Sequence, residues 1–540
     1  MQFNMADLFE SVADALPERE ALVCGERHLS YAQLDERANR LGHHLASRGV
    51  GPGDHVGCYL LNGTEYLETM LGCFKIRAVP ININFRYVED ELRYLFRDAD
   101  LVGVVYHREF GPRVAAVRDA MQAHRAFLYV EDGSGARAEG MEFETALASA
   151  SPERGFPERS ADDLFIIYTG GTTGMPKGVM WRHEDLFFAG MRGGNPTGEP
   201  AKKPEDVARV ARAGTPITMM AAPPLIHGAA QLGSFIAFWM GNRVALASQF
   251  RPREVWELVE REKVVSLSLV GDAMARPLAE ALEEPGARYD LSSLAVLSSA
   301  GAILSDAVKA QLKAKIPRLV IIDSWGSSET GYQGNAAPGS SPDTGLRFQM
   351  NERNTVLDES LEPVAPGSGV VGMLAQRGHV PLGYYNDPEK TARTFVSVKG
   401  ERWVLPGDMA TIDEDGSIRV FGRGSVCINS GGEKIYPEEV EAACKAHPDV
   451  FDAVVVGVPD ERWGSRVAAV VQLRPGRRLA LEELDRHCRT RIAGYKVPRE
   501  LHLVDEMKRS PSGKADYPWA RKLAERGINR VSSGAREKRT

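Results

Sequence analysis

Short apolar runs alternate with longer amphipathic stretches along most of the chain. The runs are rich in β-branched residues, as buried strands are, and include HVGCYLL (55–61), VGVVYH (102–107), DLFIIYT (163–169), VVSLSLV (264–270), LAVLSSA (294–300) and LVIIDSW (319–325). Between them, segments such as Tyr31–Gly49 and Val255–Glu262 have the apolar spacing of helices. The alternation predicts an α/β fold with largely buried sheets.

The last fifth of the chain has a different pattern. The runs GSIRVFGR, AVVVGVP and AAVVQL are strand-like, and PEEVEAACKAH and LEELDRHCRTRI are helix-like. We therefore predict a large N-terminal domain of α/β subdomains over residues 1–424 and a small α+β domain over 425–526, joined by a short hinge near Gly422–Ser425. The remaining residues, 527–540, are polar and aperiodic, which predicts a disordered tail.

Size and charge narrow the class of protein. A chain of 540 residues is too long for one ordinary core, and its net charge of −7 shows no basic excess, so we expect no nucleic-acid partner. We find no signal-peptide pattern and no apolar run of about eighteen residues, so we expect a cytoplasmic protein without integral membrane contact. The cysteines form no CxxC pair, which predicts isolated reduced thiols: Cys24, Cys58, Cys73, Cys427, Cys444 and Cys488.

The stretch YTGGTTGMPKG (168–178) is the first candidate for chemistry. Glycines allow backbone N–H groups to converge on an anion, threonine hydroxyls add donors, and Lys177 adds charge. The stretch is not a Walker A motif, because Pro176 precedes the lysine and Gly178 follows it. On its own it predicts either a phosphate-binding loop or a glycine-rich turn with a solvated lysine.

A second candidate is DSWGSSETG (323–331), which follows the apolar run RLVII. The Trp325 ring can cover a base, Ser328 can donate to a phosphate, and Glu329 offers the oxygen ligands that Mg²⁺ prefers. Taken alone, the same residues also fit a capped loop with a surface glutamate.

Two further candidates lie nearer the C-terminus. In LPGDMATIDEDGSIRVFGRGS (405–425), DEDGS has the composition of a turn, so Asp408 and Arg423 fall on either side of a β-hairpin. Their side chains suit ribose hydroxyls, although an ordinary hairpin salt bridge gives the same pattern. In KRSPSGKADY (508–517), Lys514 follows a Pro-Ser-Gly turn and on its own predicts only a solvated lysine.

These stretches occur in one order with PPLIHGAA (223–230), SAGAILS (299–305), LGYYNDPEKTARTF (382–395) and GRGSVCINSGGEKIYPEEVE (422–441). Together they resemble the adenylate-forming superfamily of acyl-CoA synthetases, nonribosomal peptide adenylation domains and luciferases. The resemblance runs from LSYAQLDERANRLGHHL (29–45) to Lys514. It implies an AMP-forming acyl-CoA synthetase with a mobile C-terminal domain. Such an enzyme uses ATP and Mg²⁺ to adenylate a carboxylic acid and transfers the acyl group to coenzyme A.

The resemblance also implies roles for individual residues. The phosphates of ATP are held by Thr169, Gly171, Thr172, Thr173, Gly174 and Lys177. The catalytic set is His227 beside the acyl pocket, Ser328 on a phosphate, Glu329 as the Mg²⁺ ligand, and Lys514, which bridges the carboxylate and the α-phosphate and withdraws when the C-terminal domain rotates. The other cofactor contacts are Gly301 and Ala302 beside adenine or the acyl chain, Trp325 on adenine, Asp408 and Arg423 at the ribose, and Gly431 and Gly432 along the pantetheine tunnel.

Three positions depart from the family pattern. Ser425 stands two residues after the hinge arginine, where aspartate or lysine is usual, Gly170 replaces a serine of the phosphate loop, and LPGD replaces RTGD before Asp408. Ser425 lacks the charge and length of the usual residues, so an enzyme that adenylates an acid and passes it to a partner enzyme stays open. A silent binding protein is disfavoured because Lys514, Glu329 and Asp408 are all present.

The substrate is suggested by the stretch after Trp181. The sequence RHEDLFFAGMRGGNPTGEPAKKPEDVARVARAGTP (182–216) is long and interrupted by glycines, and it resembles actinobacterial synthetases for bulky polycyclic acids. We therefore expect a steroid-type acid, or a terpenoid-type acid of specialised metabolism such as antibiotic biosynthesis. A medium- or long-chain fatty acid is the alternative. Free coenzyme A is favoured as acceptor over a fused carrier protein, and a homodimer remains open.

Overall fold

The structure is a computed structural model, which describes residues 1–171, 174–302, 304–336, 346–430, 433–460, 464–509 and 514–531. Within these ranges the chain forms three large sheets, a small C-terminal sheet and the helices that cover them. The α-helices that precede the C-terminal unit are α1 (Met5–Ala15), α2 (Tyr31–Ser47), α3 (Thr64–Lys75), α4 (Glu89–Asp98), α5 (Gly111–Val117), α6 (Phe143–Ala148), α7 (His183–Ala189), α8 (Glu205–Ala213), α9 (Gly228–Trp239), α10 (Pro252–Arg261), α11 (Gly271–Ala281), α12 (Asp306–Lys315) and α13 (Pro388–Thr394).

The first sheet has parallel strands at its centre and antiparallel strands at both edges. In spatial order its strands are β15 (Gly331–Asn335), β14 (Val320–Ser327), β13 (Val296–Ala300), β12 (Val264–Leu269), β10 (Thr218–Ala221), β11 (Arg243–Leu246), β1 (Glu20–Cys24) and β2 (Arg27–Ser30). One side of β12 and β13 is apolar and packs on α10, α11 and α12 in a shared core. The segment DSWGSSETG therefore spans the end of β14 and the turn into β15.

The second sheet carries the glycine-rich stretch. In spatial order its strands are β19 (Gly383–Tyr384), β9 (Gly174–Arg182), β8 (Leu164–Gly171), β4 (Val79–Asn82), β3 (His55–Tyr59), β5 (Leu101–His107), β6 (Ala126–Val130) and β7 (Met141–Glu142). Strands β8 and β9 form an antiparallel hairpin whose tip is the glycine-rich stretch.

A helical layer joins these two sheets. Helices α1, α2, α3 and α9 share one hydrophobic core with strands of both sheets. Helix α2 begins with a capping box, in which the Ser30 side chain accepts from the Gln33 backbone and the Gln33 side chain accepts from the Ser30 backbone. This layer therefore packs the first two sheets together in one core.

The third sheet is antiparallel, and the apolar pattern predicted only one of its hairpins. Its strands in spatial order are β16 (Leu346–Gln349), β23 (Ser417–Arg423), β22 (Asp408–Ile412), β18 (Gly372–Arg377), β21 (Glu401–Val404) and β20 (Phe395–Val398), with β17 (Asn354–Leu357) beside β18. The predicted hairpin is β22–β23, with its turn at 413–416.

The C-terminal unit is a small α+β fold. A short hairpin of β24 (Ile428–Ser430) and β25 (Glu433–Ile435) leads into a sheet of β26 (Val450–Asp460), β27 (Gly464–Leu473) and β28 (Glu500–Val504). Helices α14 (Pro437–Lys445) and α15 (Leu481–Arg489) cover one face of this sheet, and α16 (Tyr517–Glu525) packs in a second core with β26 and β27.

The α/β class with a separate C-terminal unit is confirmed, and two details differ from expectation. Residues 527–531, at the start of the predicted disordered tail, are hydrogen-bonded to β28, because the Leu503 backbone N–H donates to the Asn529 carbonyl and the Val531 N–H donates to the Leu501 carbonyl. Residues 532–540 lie outside the described part. The thiols of Cys444 and Cys488 are reduced but not isolated, since their sulfurs lie 3.9 Å apart between α14 and α15.

A membrane-spanning helix would need a long apolar segment. In the part of the chain that the structure describes, every helix is too short or too polar to cross a bilayer.

Candidate active site

The predicted phosphate loop is the tip of the β8–β9 hairpin. In this hairpin Thr169 lies opposite Lys177 and Gly171 lies opposite Gly174 in the backbone register. Directly opposite residues of an antiparallel pair present their side chains to the same face, so Thr169 and Lys177 share a face. Thr172 and Thr173 lie outside the described residues.

The Lys177 ammonium group is held by residues of two other segments. Its Nζ lies 3.3 Å from Asp387 Oδ2 and 5.9 Å from the centre of the Tyr94 ring. Desolvation would lower the pKa of Lys177, but the attraction to Tyr94 and Asp387 outweighs it and the pKa is raised. The lysine therefore keeps its positive charge at the hairpin tip. Asp387 belongs to the LGYYNDPEK stretch, which thereby contacts the phosphate loop.

Glu329 lies in the turn between β14 and β15 and is 9% exposed. The Tyr384 hydroxyl donates a hydrogen bond of 2.9 Å to Glu329 Oε1. Tyr384 itself pairs with Val179 of β9, so the strand that carries Lys177 also positions the partner of Glu329. The backbone of Ser328 is tied to the same strand, because Trp181 Nε1 donates to the Ser328 carbonyl at 2.9 Å. These contacts bring the phosphate loop and the WGSSETG segment together.

The remaining residues around this turn come from the ends of strands. Trp325 lies on β14 with its ring centre 5.5 Å from that of Phe348, and its buried Nε1 has no hydrogen-bond partner among the described residues. Gly301 follows β13 with a φ of 80°, a left-handed conformation that glycine adopts without strain. Ala302 follows it and packs at the edge of the α10–α12 core.

His227 lies beside the predicted phosphate loop, because the residue before it, Ile226, is hydrogen-bonded to the same asparagine as the start of that loop. It is the residue before α9, and the amide of Asn82 donates both to the carbonyl of Ile226 at 2.7 Å and to that of Tyr168 at 2.8 Å. The single asparagine therefore joins PPLIHGAA to the start of the phosphate hairpin.

Asp408 and Arg423 pair directly in the backbone register of β22 and β23, as the sequence predicted. Asp408 is 2% exposed. The third sheet, to which they belong, reaches the Glu329 turn through Gln376 of β18, whose Nε2 donates to the Thr330 carbonyl at 2.7 Å.

Lys514 lies in the C-terminal unit just before α16 and is exposed. Its segment is anchored because Arg509 pairs in a β-bridge with Ala515 and its guanidinium binds the Asp452 carboxylate, with Nε 2.6 Å from Oδ2. Gly431 and Gly432 lie outside the described residues, between β24 and β25.

The C-terminal unit contacts the first domain at α11. Arg474 Nη1 lies 3.0 Å from Glu280 Oε1, and the Arg276 guanidinium lies 5.7 Å from the centre of the Phe451 ring. Glu280 and Arg276 are both on α11, so both of these contacts of the C-terminal unit are made with this helix.

Sequence reasoning missed the residues that hold the candidate groups in place, namely Tyr384, Asp387, Asn82, Trp181 and Gln376. Two of them lie in the LGYYNDPEK stretch, so that motif carried a usable signal. The other three are isolated in sequence and gain their partners only through the fold.

Family models, relatives and a solved structure of known chemistry are similar to this chain. The family model "AMP-binding enzyme" matches residues 9–385, and "AMP-binding enzyme C-terminal domain" matches 439–514. A medium/long-chain-fatty-acid–CoA/3-oxocholest-4-en-26-oate–CoA ligase of Mycobacterium tuberculosis is 51% identical over 529 residues, covering 97% of this chain and 96% of the relative. A 3-oxocholest-4-en-26-oate–CoA ligase of Rhodococcus rhodochrous is 48% identical and covers 96% of each chain. The structure of the anthranilate CoA ligase AuaEII with anthranoyl-AMP is similar in fold, with a TM-score of 0.83 at 24% identity over 96% of this chain and 98% of that one.

Proposed function

We propose, from the premise that this chain belongs to the AMP-binding enzyme family, that it activates a bulky apolar acid of the steroid or terpenoid type. The chain is an AMP-forming acid–thiol ligase that uses ATP, Mg²⁺ and coenzyme A. It converts a carboxylic acid to an acyl-adenylate with release of pyrophosphate, and then to an acyl-CoA with release of AMP.

The proposed substrate class rests on one observation. Two relatives that are 48% and 51% identical over nearly the full chain are named as ligases of 3-oxocholest-4-en-26-oate. The M. tuberculosis relative is also named for medium- and long-chain fatty acids, which makes a fatty acid the second candidate.

The proposed nucleotide site combines three elements. Thr169, Gly171, Thr172, Thr173, Gly174 and Lys177 hold the β- and γ-phosphates, with Ser328 as a further donor. Asp408, with Arg423 beside it, accepts the ribose hydroxyls, since a buried carboxylate binds hydroxyls strongly. Trp325 stacks on the adenine, and Gly301 and Ala302 lie beside the adenine or the acyl chain.

Glu329 is the proposed Mg²⁺ ligand. Its carboxylate fits that ion, because it offers hard oxygen atoms, is largely buried and is oriented by Tyr384. When bound, Mg²⁺ supplies positive charge at the phosphates. The chain contributes the orientation of the carboxylate and a second cation, Lys177, which lies on β9 of the second sheet.

His227 and Lys514 are proposed to act on the acid. His227 lines the acyl pocket next to the phosphate hairpin. Lys514 donates to both the carboxylate and the α-phosphate as charge develops between them, which is where a positioned ammonium contributes most to rate. No covalent enzyme intermediate is needed, so the catalytic burden is positioning and charge neutralisation.

In this proposal Lys514 belongs to the second domain, whereas the other residues that contact ATP and the acid belong to the first. The first domain covers residues 1–424 and the second 425–526, and the second rotates about Ser425 between the two half-reactions. After rotation Gly431 and Gly432 line the path of pantetheine. We further propose a cytoplasmic enzyme that acts as a monomer or homodimer. A partner enzyme for thioester formation is required only if this chain fails in the second step.

Two assays together test the proposal. Pyrophosphate release is measured with a steroid C26 acid, a terpenoid acid, palmitate and acetate, with and without coenzyme A, and the thioester is detected by mass spectrometry. We expect kcat/KM to be highest for a polycyclic acid, because acetate forgoes about 0.8 kcal/mol of burial for each missing methylene. A highest kcat/KM for acetate would refute the substrate class. Adenylate without thioester would identify an adenylating partner enzyme.

A further inference from the structure

One side of the first sheet is only partly covered next to the Glu329 turn. On the side that faces α10–α12, Leu267 and Leu297 are fully buried. The opposite side of β12, β13 and β14 carries Ile322 and four small, half-buried side chains: Ser268, Ser298, Ala300 and Ser324. The register places Ser268 beside Ser298 and Ala300 beside Ser324, so they form one row. Small side chains leave room above this row.

Gln333 of β15 is an unusual buried residue beside the row. It is 3% exposed, and neither Oε1 nor Nε2 has a hydrogen-bond partner among the described residues. Asn335, two residues further on, contacts Ser324 with a distance of 2.9 Å between Oδ1 and Oγ. Gln333 lies on the same strand, between this pair and the Glu329 turn.

Gln333 is the extra residue of a β-bulge. Trp325 pairs with Gly334, but the next residue, Gly326, pairs with Tyr332, so Gln333 has no residue directly opposite. Such an irregularity re-aims a side chain and is frequent next to active sites.

The two other buried glutamines in the described part of the chain have hydrogen-bond partners. Gln376 is 3% exposed and donates to the Thr330 carbonyl at 2.7 Å, and Gln231 is 3% exposed and donates to the Leu225 carbonyl at 2.8 Å. A buried amide without partners is costly, and native proteins rarely keep one without a reason. The donor and the acceptor of Gln333 together indicate a ligand group that completes them.

We propose that Gln333 binds an oxygen atom of the acid substrate, a ketone or hydroxyl remote from the carboxyl group, and thereby selects oxygenated polycyclic acids over plain hydrocarbon chains. This rests on the proposed function, in which the carboxyl group meets the α-phosphate of the ATP that Glu329 and Mg²⁺ hold. Gln333 lies four residues further along the chain, on the strand that leaves the Glu329 turn. The amide N–H₂ donates to a ketone, and either group of the amide serves a hydroxyl.

The test compares two acids that differ by one oxygen. The acids are 3-oxocholest-4-en-26-oate and the same acid without the 3-oxo group, and kcat/KM is measured by pyrophosphate release for wild type, Gln333→Met and Gln376→Met. We expect the wild type to prefer the oxo acid about 10- to 100-fold, as the loss of one buried hydrogen bond implies. Gln333→Met should reduce this preference to about threefold or less. Gln376→Met should keep it, because its amide already has a protein partner.

Thermal unfolding separates a ligand contact from a structural role. Gln333→Met should melt no lower than wild type, whereas Gln376→Met should melt lower because it leaves the Thr330 carbonyl unpaired. A loss of stability in both would overturn the proposal. A raised KM for ATP with an unchanged acid preference would assign Gln333 to the nucleotide instead, and would also overturn it.

The results for the wild type distinguish a failure of the Gln333 proposal from a failure of the proposed substrate class. If the wild type activates both steroid acids equally, only the role of Gln333 is refuted. If it activates palmitate and neither steroid acid, the steroid substrate class and the role of Gln333 are both refuted.

Discussion

The Tyr384 hydroxyl lies 2.9 Å from Glu329 Oε1, and the two residues are 55 positions apart in the chain. The tyrosine follows a loop that returns to β9, the strand of Lys177, whereas the glutamate is in a turn of the first sheet. This hydrogen bond therefore couples the two sheets at the point where we propose that the phosphates and Mg²⁺ bind. It restricts the orientation of the carboxylate before any ligand arrives.

Tyr384→Phe should impair Mg²⁺ use more than protein stability. A hydrogen bond to a charged group contributes about 1.5–3 kcal/mol, so we expect adenylation at limiting Mg²⁺ to fall about tenfold or more and the Mg²⁺ requirement to rise. Pyrophosphate release is measured as a function of Mg²⁺ concentration. Tyr385→Phe is the matched control, since the Tyr385 hydroxyl donates to Asp100 instead. Equal behaviour of the two variants would contradict the assignment of Glu329.

Asp408→Ala should weaken ATP binding by about 1.5–3 kcal/mol, because a buried ionised acceptor of ribose hydroxyls is lost. Calorimetry with a non-hydrolysable ATP analogue measures the change. Asp415→Ala, at the turn of the same hairpin, removes a carboxylate that accepts from the backbone and the hydroxyl of Ser417 and should leave the affinity unchanged. Unchanged affinity in Asp408→Ala would remove this residue from the nucleotide site.

The contact between Arg474 and Glu280 should influence the position of the C-terminal domain. The pair is partly exposed and is worth about 0.2–1 kcal/mol, so Arg474→Glu should change the ratio of adenylation rate to thioester-formation rate by up to about fivefold. Both rates are measured in single turnovers. The double exchange Arg474→Glu with Glu280→Arg should restore the wild-type ratio. If the single exchange has no effect on the ratio, the contact plays no part in domain positioning.

Acid should destabilise the first domain through His183. Burial lowers the pKa of this histidine from 6.5 to about 4. The unfolded chain therefore binds the proton more readily, and the stability is complete above pH 6.5 and is lost as the pH falls toward 4. For this one residue the loss between pH 7.5 and pH 5 is about 2 kcal/mol.

Urea unfolding at the two pH values measures this effect. His183→Asn keeps an acceptor near the Met5 backbone N–H but cannot take up the proton. The variant should lose about 2 kcal/mol less than the wild type on acidification. An identical pH dependence in both proteins would show that His183 does not titrate as its burial implies.

The sequence predicted those parts of the site that depend on local pattern. The hairpin that places Asp408 opposite Arg423 and the strand that leads to Glu329 both follow from apolar runs and turn residues. The Tyr384–Glu329 contact could not be predicted in this way, because it depends on how two sheets meet. The other strands of the third sheet were missed for a related reason, since each is only four to six residues long and gives little periodic signal.

Two further features depend on the fold and could not be predicted from local sequence: the proximity of two thiols and the backbone pairing of residues 527–531. Cys444 and Cys488 lie on two helices, and only the packing of those helices brings the sulfurs within 3.9 Å. Residues 527–531 look like a polar tail in sequence, but their backbone bonds to the edge of β28. Backbone pairing needs no apolar side chains, so composition alone does not reveal it.

The central claim is that Lys514 serves adenylation and is absent from thioester formation. Lys514→Ala should lower adenylation by on the order of 10²–10³-fold, because it removes the ammonium group where charge develops. The decisive measurement supplies synthetic acyl-adenylate and coenzyme A to wild type and Lys514→Ala, and follows the thioester by mass spectrometry. We predict near-equal rates for the two proteins. Thioester formation by the wild type and none by a folded Lys514→Ala would contradict the account.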